Sequence, residues 1–239
     1  MLATHETQDL YTYEILKKDQ AELIQKAAAC LAQSFIGVDV AGKWVQEPMV
    51  GQLNLNYEDF YAFTKEYLDT AVEQGYSAVA LDKDNQVVGV FTGDTNAPEI
   101  IGEDVFEGSF SDMNVILHVL EDVDKRFMED YKKRNGKDII DGEMLHLFMV
   151  GVTAEQERHE IIKQLGNKLF TKAASAGLKA VICEATNPKS IRVLEKYHDM
   201  KKYQDSDGNH IVHMYKDNSK LQAISPNTAD GTYILMREL

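Results

Sequence analysis

Apolar residues recur every fourth position across 19–36, at Leu23, Ala27, Leu31 and Phe35, behind a short alternating stretch at 11–17. This predicts a strand that feeds an amphipathic helix. Residues 37–56 show no period and hold the sole tryptophan, Trp44, beside Gln46, Glu47 and Pro48, so they are expected to form a long loop. Asn56 is a predicted N-cap for a helix over 57–74, and YSAVAL (76–81), DKDNQ and VVGVF (87–91) read as a hairpin. From 93 to 112 the chain carries six acidic residues (Asp94, Glu99, Glu103, Asp104, Glu107 and Asp112) and no Lys or Arg, the pattern of a second long loop. Ser111 is expected to cap a helix bearing Val115, Val119, Val123 and Phe127, which Asn135-Gly136 should end.

The centre of the chain has a different rhythm. LHLFMVGV (145–152) is apolar at successive positions, which predicts a strand covered on both faces. Ile161, Leu165, Leu169 and Ala173 then mark a helix, with Ile162, Phe170 and Ala174 widening its stripe and Gly177 at its C-terminal end. LKAVICEA (178–185) supplies another buried strand, so 145–185 has the pattern of a βαβ unit. Asn187 and Pro188 open a short helix to about Tyr197, and 200–204, 210–216 and 231–238 read as closing strands around a DSDGN turn. The predicted architecture is α/β, a mixed sheet between helices.

Composition narrows the function. The chain has 239 residues, 44% of them apolar, and reads as a single domain over 1–239. Its net charge of −14 and lack of a basic block speak against nucleic acid as a partner. No apolar run suits a membrane span and the N-terminus has no signal-peptide pattern, so the expectation is a cytoplasmic protein with no membrane partner. Cys30 and Cys183 lie in apolar patterns and are expected to be free buried thiols. G-x-G-x-x-G, P-loop, H-E-x-x-H and C-x-x-C motifs are absent, which leaves dinucleotide, nucleoside triphosphate and zinc chemistry unsupported, and no metal is expected.

The stretch from about 142 to 203 resembles the conserved half of the GNAT superfamily of N-acetyltransferases: an apolar strand ending in V-x-P-E, a helix whose first turn holds the acyl-CoA diphosphate, a small-residue turn, a strand, an Asn-x-x-Ser helix start and a terminal Glu-Lys. Val152, Glu155, Gly177, Asn187, Ser190, Glu195 and Lys196 stand at the matching positions. The order of the N-terminal elements matches as well, and Glu47-Pro48 with the inserted helix over 112–134 resembles the arylalkylamine branch. The resemblance implies a splayed mixed sheet flanked by helices, with acetyl-CoA as cosubstrate. The pantetheine would lie along Val150 and Val152, and the diphosphate at the start of the helix, near Arg158, His159, Ile161 and Ile162, with Asn187 beyond. Two departures accompany it. The diphosphate turn, Gln/Arg-x-x-Gly-x-Gly/Ala in the family, is Glu157 to Ile162 here, so both small positions are lost. The tyrosine that protonates the leaving thiolate in many members is Leu194.

The implied chemistry is acetyl transfer to a small amine by direct attack. An alkylammonium must first lose a proton, at a cost of about 4–5 kcal/mol at neutral pH. Glu47 is the candidate general base, with Ser190 or Tyr197 in place of the missing acid. Asp39, Glu47 and the acidic loop suit a cationic amine, and Trp44, Tyr57, Phe60 and Tyr61 suit its apolar part. A noncatalytic GNAT-like module that binds a ligand or protein is the alternative, and a homodimer is left open.

Overall fold

The alternating N-terminal stretch forms strand β1 (Thr12–Ile15) and the stripe behind it helix α1 (Ala21–Ile36), whose Ala27, Leu31 and Ala32 are buried. The computed structural model describes residues 10–100, 102–154 and 158–239. Residues 37–56 are not the loop expected. They form a hairpin of β2 (Val38–Val40) and β3 (Lys43–Val45), then helix α2 (Pro48–Gln52). Ala41 and Gly42 both have positive φ at the hairpin tip, which matches the twist of the flanking strands. Pro48 takes the first helical position, where its missing N–H costs nothing.

Helix α3 (Tyr57–Ala71) starts as expected at Asn56, whose Oδ1 accepts from the Asp59 amide at 2.9 Å. Strands β4 (Ser77–Leu81) and β5 (Val87–Asp94) form the hairpin, and β5 runs on to Asp94, past the end expected at 91. Helix α4 (Met113–Asn135) ends on Gly136 in the left-handed region. Ser111 does not cap it. The chain enters α4 through a 3-10 turn at Gly108–Phe110, and the Ser111 and Asp112 carbonyls accept the Asn114 and Val115 amides.

The βαβ unit is present as β6 (Met144–Val152), α5 (Arg158–Ser175) and β7 (Ala180–Ala185). Helix α6 (Pro188–His198) follows, and β8 (Lys201–Lys202), β9 (Val212–Met214) and β10 (Gly231–Glu238) close the sheet. The strand order is β1-β4-β5-β6-β7-β10-β8, with β9 on β10. All of these neighbours run antiparallel except β6 and β7.

Helices cover both faces, which explains the apolar runs of the central strands. Leu145, Val181, Cys183 and Leu235 pack with α5 and α6, while Met144, Ala180, Ile182 and Ile234 pack with α4. Helices α1, α2 and α3 join α4 on that second face. Each fully buried Leu, Ile or Phe contributes about 1.5–3 kcal/mol by leaving water. Among the described residues no helix is long and apolar enough to cross a membrane.

Candidate active site

One extra residue in β6 creates the site. Thr92 of β5 pairs with Met149 and Gly93 with Leu147, so Phe148 is left over as a bulge. A bulge bends its strand and sharpens its twist. Gly93 makes this possible, because a Cβ there would meet the His146 carbonyl oxygen at 2.3 Å. On its other side β6 pairs with β7 only at Met144–Ala180, Leu145–Val181 and His146–Ile182. Beyond His146 the two strands diverge, although β6 continues to Val152 and β7 to Ala185.

Two cavities occupy the divergence. The larger, about 350 Å³, lies between the ends of β6 and β7, α5 and the β2–β3 hairpin. The smaller, about 90 Å³, runs among α1 to α4 and is lined by apolar groups including Phe35, Phe60, Phe63, Phe148, Met113 and Ile116. Both are lined by Glu47, Val150, Thr186, Ser190 and Leu194, so they share a wall at the open end of the strands.

Glu47 stands on that wall, 8% exposed. It is the N-cap of α2: Oε2 accepts from the Val50 amide at 2.7 Å, and its own N–H donates to the Phe35 carbonyl. Oε1 is buried without a hydrogen-bond partner among the described residues. Burial pushes the carboxyl up to about 7, and the Val50 amide, the Thr186 hydroxyl and the Met49 amide pull it only part of the way back. Thr186 is itself fixed, since Tyr215 donates its phenol proton to the Thr186 carbonyl at 2.8 Å. A carboxyl that titrates near neutrality between two cavities is suited to move a proton.

Solved structures share this architecture. An agmatine N-acetyltransferase mutant superposes with a TM-score of 0.66 at 18% identity, over 96% of this chain and 100% of the other. A polyamine N-acetyltransferase from Drosophila melanogaster gives 0.63 at 16%, over 96% and 100%. Arylalkylamine N-acetyltransferase 2 from Aedes aegypti gives 0.61 at 14%, over 95% and 98%. The chain has the GNAT fold. No family model and no curated protein matches the sequence.

Most of the residues expected on the donor side are in the wall of the larger cavity: Val150, Val152, Arg158, His159, Ile162, Asn187 and Ser190. Lys189, exposed and unanticipated from sequence, joins them beside Arg158, whose guanidinium donates to the Ala154 carbonyl. Asn187 also caps α6, its Oδ1 accepting from the Lys189 amide at 2.9 Å. Ile161 is not in the wall. It is fully buried in the core, packed over Gly89 of β5, where a Cβ would meet its Cγ2 at 2.5 Å. One of the two bulky residues of the turn thus points away from the cavity, and Ile162 remains in it. Tyr197 lines neither cavity; its ring faces His159 at 6.0 Å, with the Lys196 ammonium 4.9 Å from its centre. Glu155 and Glu157 lie outside the described residues. The strand edge left unpaired past His146 fits an extended pantetheine, and Arg158 and Lys189 fit its phosphates.

The residues expected to hold an amine depart more from expectation. Of Trp44, Tyr57, Phe60 and Tyr61, only Phe60 lines the smaller cavity; Trp44 is 61% exposed, and Tyr57 stacks on Tyr61. Asp39 is exposed, as are Glu99, Glu103, Asp104 and Glu107 of the acidic loop, whereas Asp94 is buried at the end of β5. Sequence reasoning missed Glu184, whose side chain is 3% exposed and which lines the smaller cavity. Its Oε2 lies 2.7 Å from His146 Nε2, and His146 Nδ1 is 3.9 Å from Asp94 Oδ2, which also accepts from the Tyr67 hydroxyl. Burial draws the His146 imidazole down, but the charges of Glu184, Asp94 and Asp124 outweigh it and hold it up at about 10. Burial, and then the charge of Glu184, push the Asp124 carboxyl well above the usual carboxylate range. The signal for these residues was present: a Glu in VICEA and a His in LHLF are ionisable groups inside doubly covered strands, where unpaired charge is rare.

Proposed function

We propose that the chain is an N-acetyltransferase that moves the acetyl group of acetyl-CoA directly to a small amine, with Glu47 as general base. The observation that supports this most is the position of Glu47, a buried carboxyl with an unpartnered oxygen among the described residues, on the wall shared by the two cavities. The agmatine, polyamine and arylalkylamine acetyltransferases that share the fold favour an amine acceptor.

In this reading the amine enters the smaller cavity and the thioester lies along the free edge of β6. Burial lowers the pKa of the ammonium, which reduces the gap of about 3 pK units between it and Glu47. The amine nitrogen attacks the thioester carbonyl, a C–N bond forms, and the nitrogen's proton passes to Glu47. Backbone N–H groups near Val150 would face the oxyanion, where one donor is worth about 2.7–4 kcal/mol. The C–S bond then breaks and the thiolate takes a proton. Ser190 lines both cavities and is assigned there; Tyr197 lines neither and is left out. A reducing, cytoplasmic setting suits the two buried free thiols.

The test is thiol release from acetyl-CoA across an amine panel, with Glu47→Ala alongside. Release that falls by about 10²–10⁴-fold in the variant is expected, and undiminished release would remove Glu47 from the mechanism. Ile162 in the donor wall and Leu194 at the tyrosine position favour the noncatalytic alternative. Thermal stabilisation by acetyl-CoA with no thiol release from any amine would select it.

A further inference from the structure

Charge is unevenly spread over the chain. Residues 158–202, which form α5, β7, α6 and β8, hold ten Lys or Arg against four Asp or Glu, where the rest of the chain holds 15 against 35. Part of that surplus is engaged: Lys163 pairs with Glu160, Lys172 donates to the Gly75 carbonyl, and Lys179 pairs with Glu143. The cations of α6 are not. Lys189, Arg192 and Lys196 are exposed, and among the described residues none of them pairs with a carboxylate. Their spacing of three and four places them on one side of the helix, along about 10 Å. Glu195 flanks this stripe as the only acidic residue within α6, and Asp199 stands at the C-cap.

The stripe borders the larger cavity. Lys189 lines it, and Tyr197, under the Lys196 ammonium, faces His159 in the same wall. Arg192 and Lys196 themselves lie outside the wall, set to meet what a donor leaves outside the cavity. A pantetheine thioester arrives either on the nucleotide of CoA or on a carrier protein; the arm is common to both, and an acidic carrier leaves a protein surface outside. The net negative remainder of the chain repels such a surface, so the α6 stripe sets where it docks. Ile162 in the wall, where the resemblance implies a small residue, crowds a diphosphate, whereas an arm on a carrier brings a single phosphodiester, which Lys189 suits. Resting on the acetyltransferase reading, we propose that α6 is a docking surface for an acidic carrier protein, whose phosphopantetheine arm enters the larger cavity as a second acyl donor beside CoA. The acyl carbon passes from the carrier's sulfur to the amine nitrogen. The nitrogen's proton goes to Glu47, and the carrier's thiolate takes a proton and departs as the free thiol.

The experiment supplies the best amine of the panel with acetyl groups on pantetheine, on CoA and on an acidic acyl carrier protein, for wild type and for the double variant Arg192→Glu with Lys196→Glu. Wild type is expected to use the acetyl-carrier with a kcat/KM about tenfold or more above acetyl-pantetheine, and the double reversal to remove that advantage. Acetyl-pantetheine is uncharged, so its kcat/KM should stay within about twofold, which separates docking from a folding defect. High salt should shrink the wild-type advantage as well. A carrier no better than pantetheine overturns the proposal, as does an advantage that the reversal leaves intact. An equal loss on acetyl-CoA and acetyl-carrier also overturns it, since the stripe then serves the nucleotide's phosphates. Fluorescence anisotropy of the labelled holo-carrier reads docking without turnover. Holo-carrier binding that the double reversal abolishes, in a protein that releases no thiol from any donor, sustains this inference while the transferase reading fails. Thiol release from acetyl-CoA with no carrier binding does the reverse.

Discussion

The two ends of the β6–β7 pair each carry a buried glutamate, and the contrast between them separates a carboxyl that holds the fold from one that is available for chemistry. At the closed end, Glu143 has a side chain only 2% exposed and accepts from the Lys137 and Lys179 ammoniums, the Tyr131 hydroxyl and the Ile140 amide. Hydrogen bonds from the two lysines hold it down at about 2. At the open end, Glu47 is 8% exposed and among the described residues has one amide on Oε2 and no partner on Oε1, and burial lifts it to about 7. Both are shielded from water, but desolvation dominates at Glu47 and the lysine donors dominate at Glu143. The backbone repeats the pattern, since the ladder is complete through His146 and ends there.

The largest expected effect is on rate. Glu47→Gln should lower amine-dependent kcat/KM by about 10²–10⁴-fold, while Glu143→Gln, far from both cavities, should leave it within about threefold; equal losses in steady-state assays would erase the distinction. Stability should move the opposite way at the open end. A carboxyl raised from 4.5 to about 7 favours the folded state most below 4.5 and loses that contribution as pH rises through 7. Denaturant titrations should therefore show Glu47→Gln gaining on wild type by about 3 kcal/mol between those limits, and a flat difference would mean the carboxyl is not desolvated.

Gly93→Ala should cost about 2 kcal/mol in the same titrations, because its Cβ would strike the His146 carbonyl beside the bulge. No loss would show that the divergence does not depend on that close approach. Glu143→Gln should cost about 1–2 kcal/mol at neutral pH. The contribution of Glu143 is present above 4.5 and is lost as pH falls through about 2, so this deficit should fade in acid. The smallest effect belongs to the mouth of the donor cavity: Arg158→Ala and Lys189→Ala should each raise the KM for acetyl-CoA about threefold, less at high salt. Salt-independent KM values would argue against a phosphate there.

The parallel unit was legible because β6 and β7 are covered on both faces and their composition reports it. The β2–β3 hairpin was not, since three-residue strands are too short to show a period and Ala41 adopts a positive φ that alanine rarely takes. Glu47 was visible as part of Glu-Pro, but its burial depended on α2 folding back on Phe35, a tertiary fact. The loss of both small residues in the α5 turn, at Glu160 and Ile162, read as a block, and of the two only Ile162 stands in the wall of the larger cavity. Ile161 between them is buried over Gly89, on a strand distant in sequence, and no local pattern reports that contact.

Phe148 carries a last consequence. Before it, Leu145 and Leu147 face α5 and α6; after it, Met149 faces α1 and α3, and Val150 and Val152 take the α5 side. The bulge thus resets the phase of the strand's inward and outward positions. Deleting that single phenylalanine would let Met149 take its place on the α1 and α3 side, so Val150 and Val152 would keep their face while the strand lost the bend that parts it from β7.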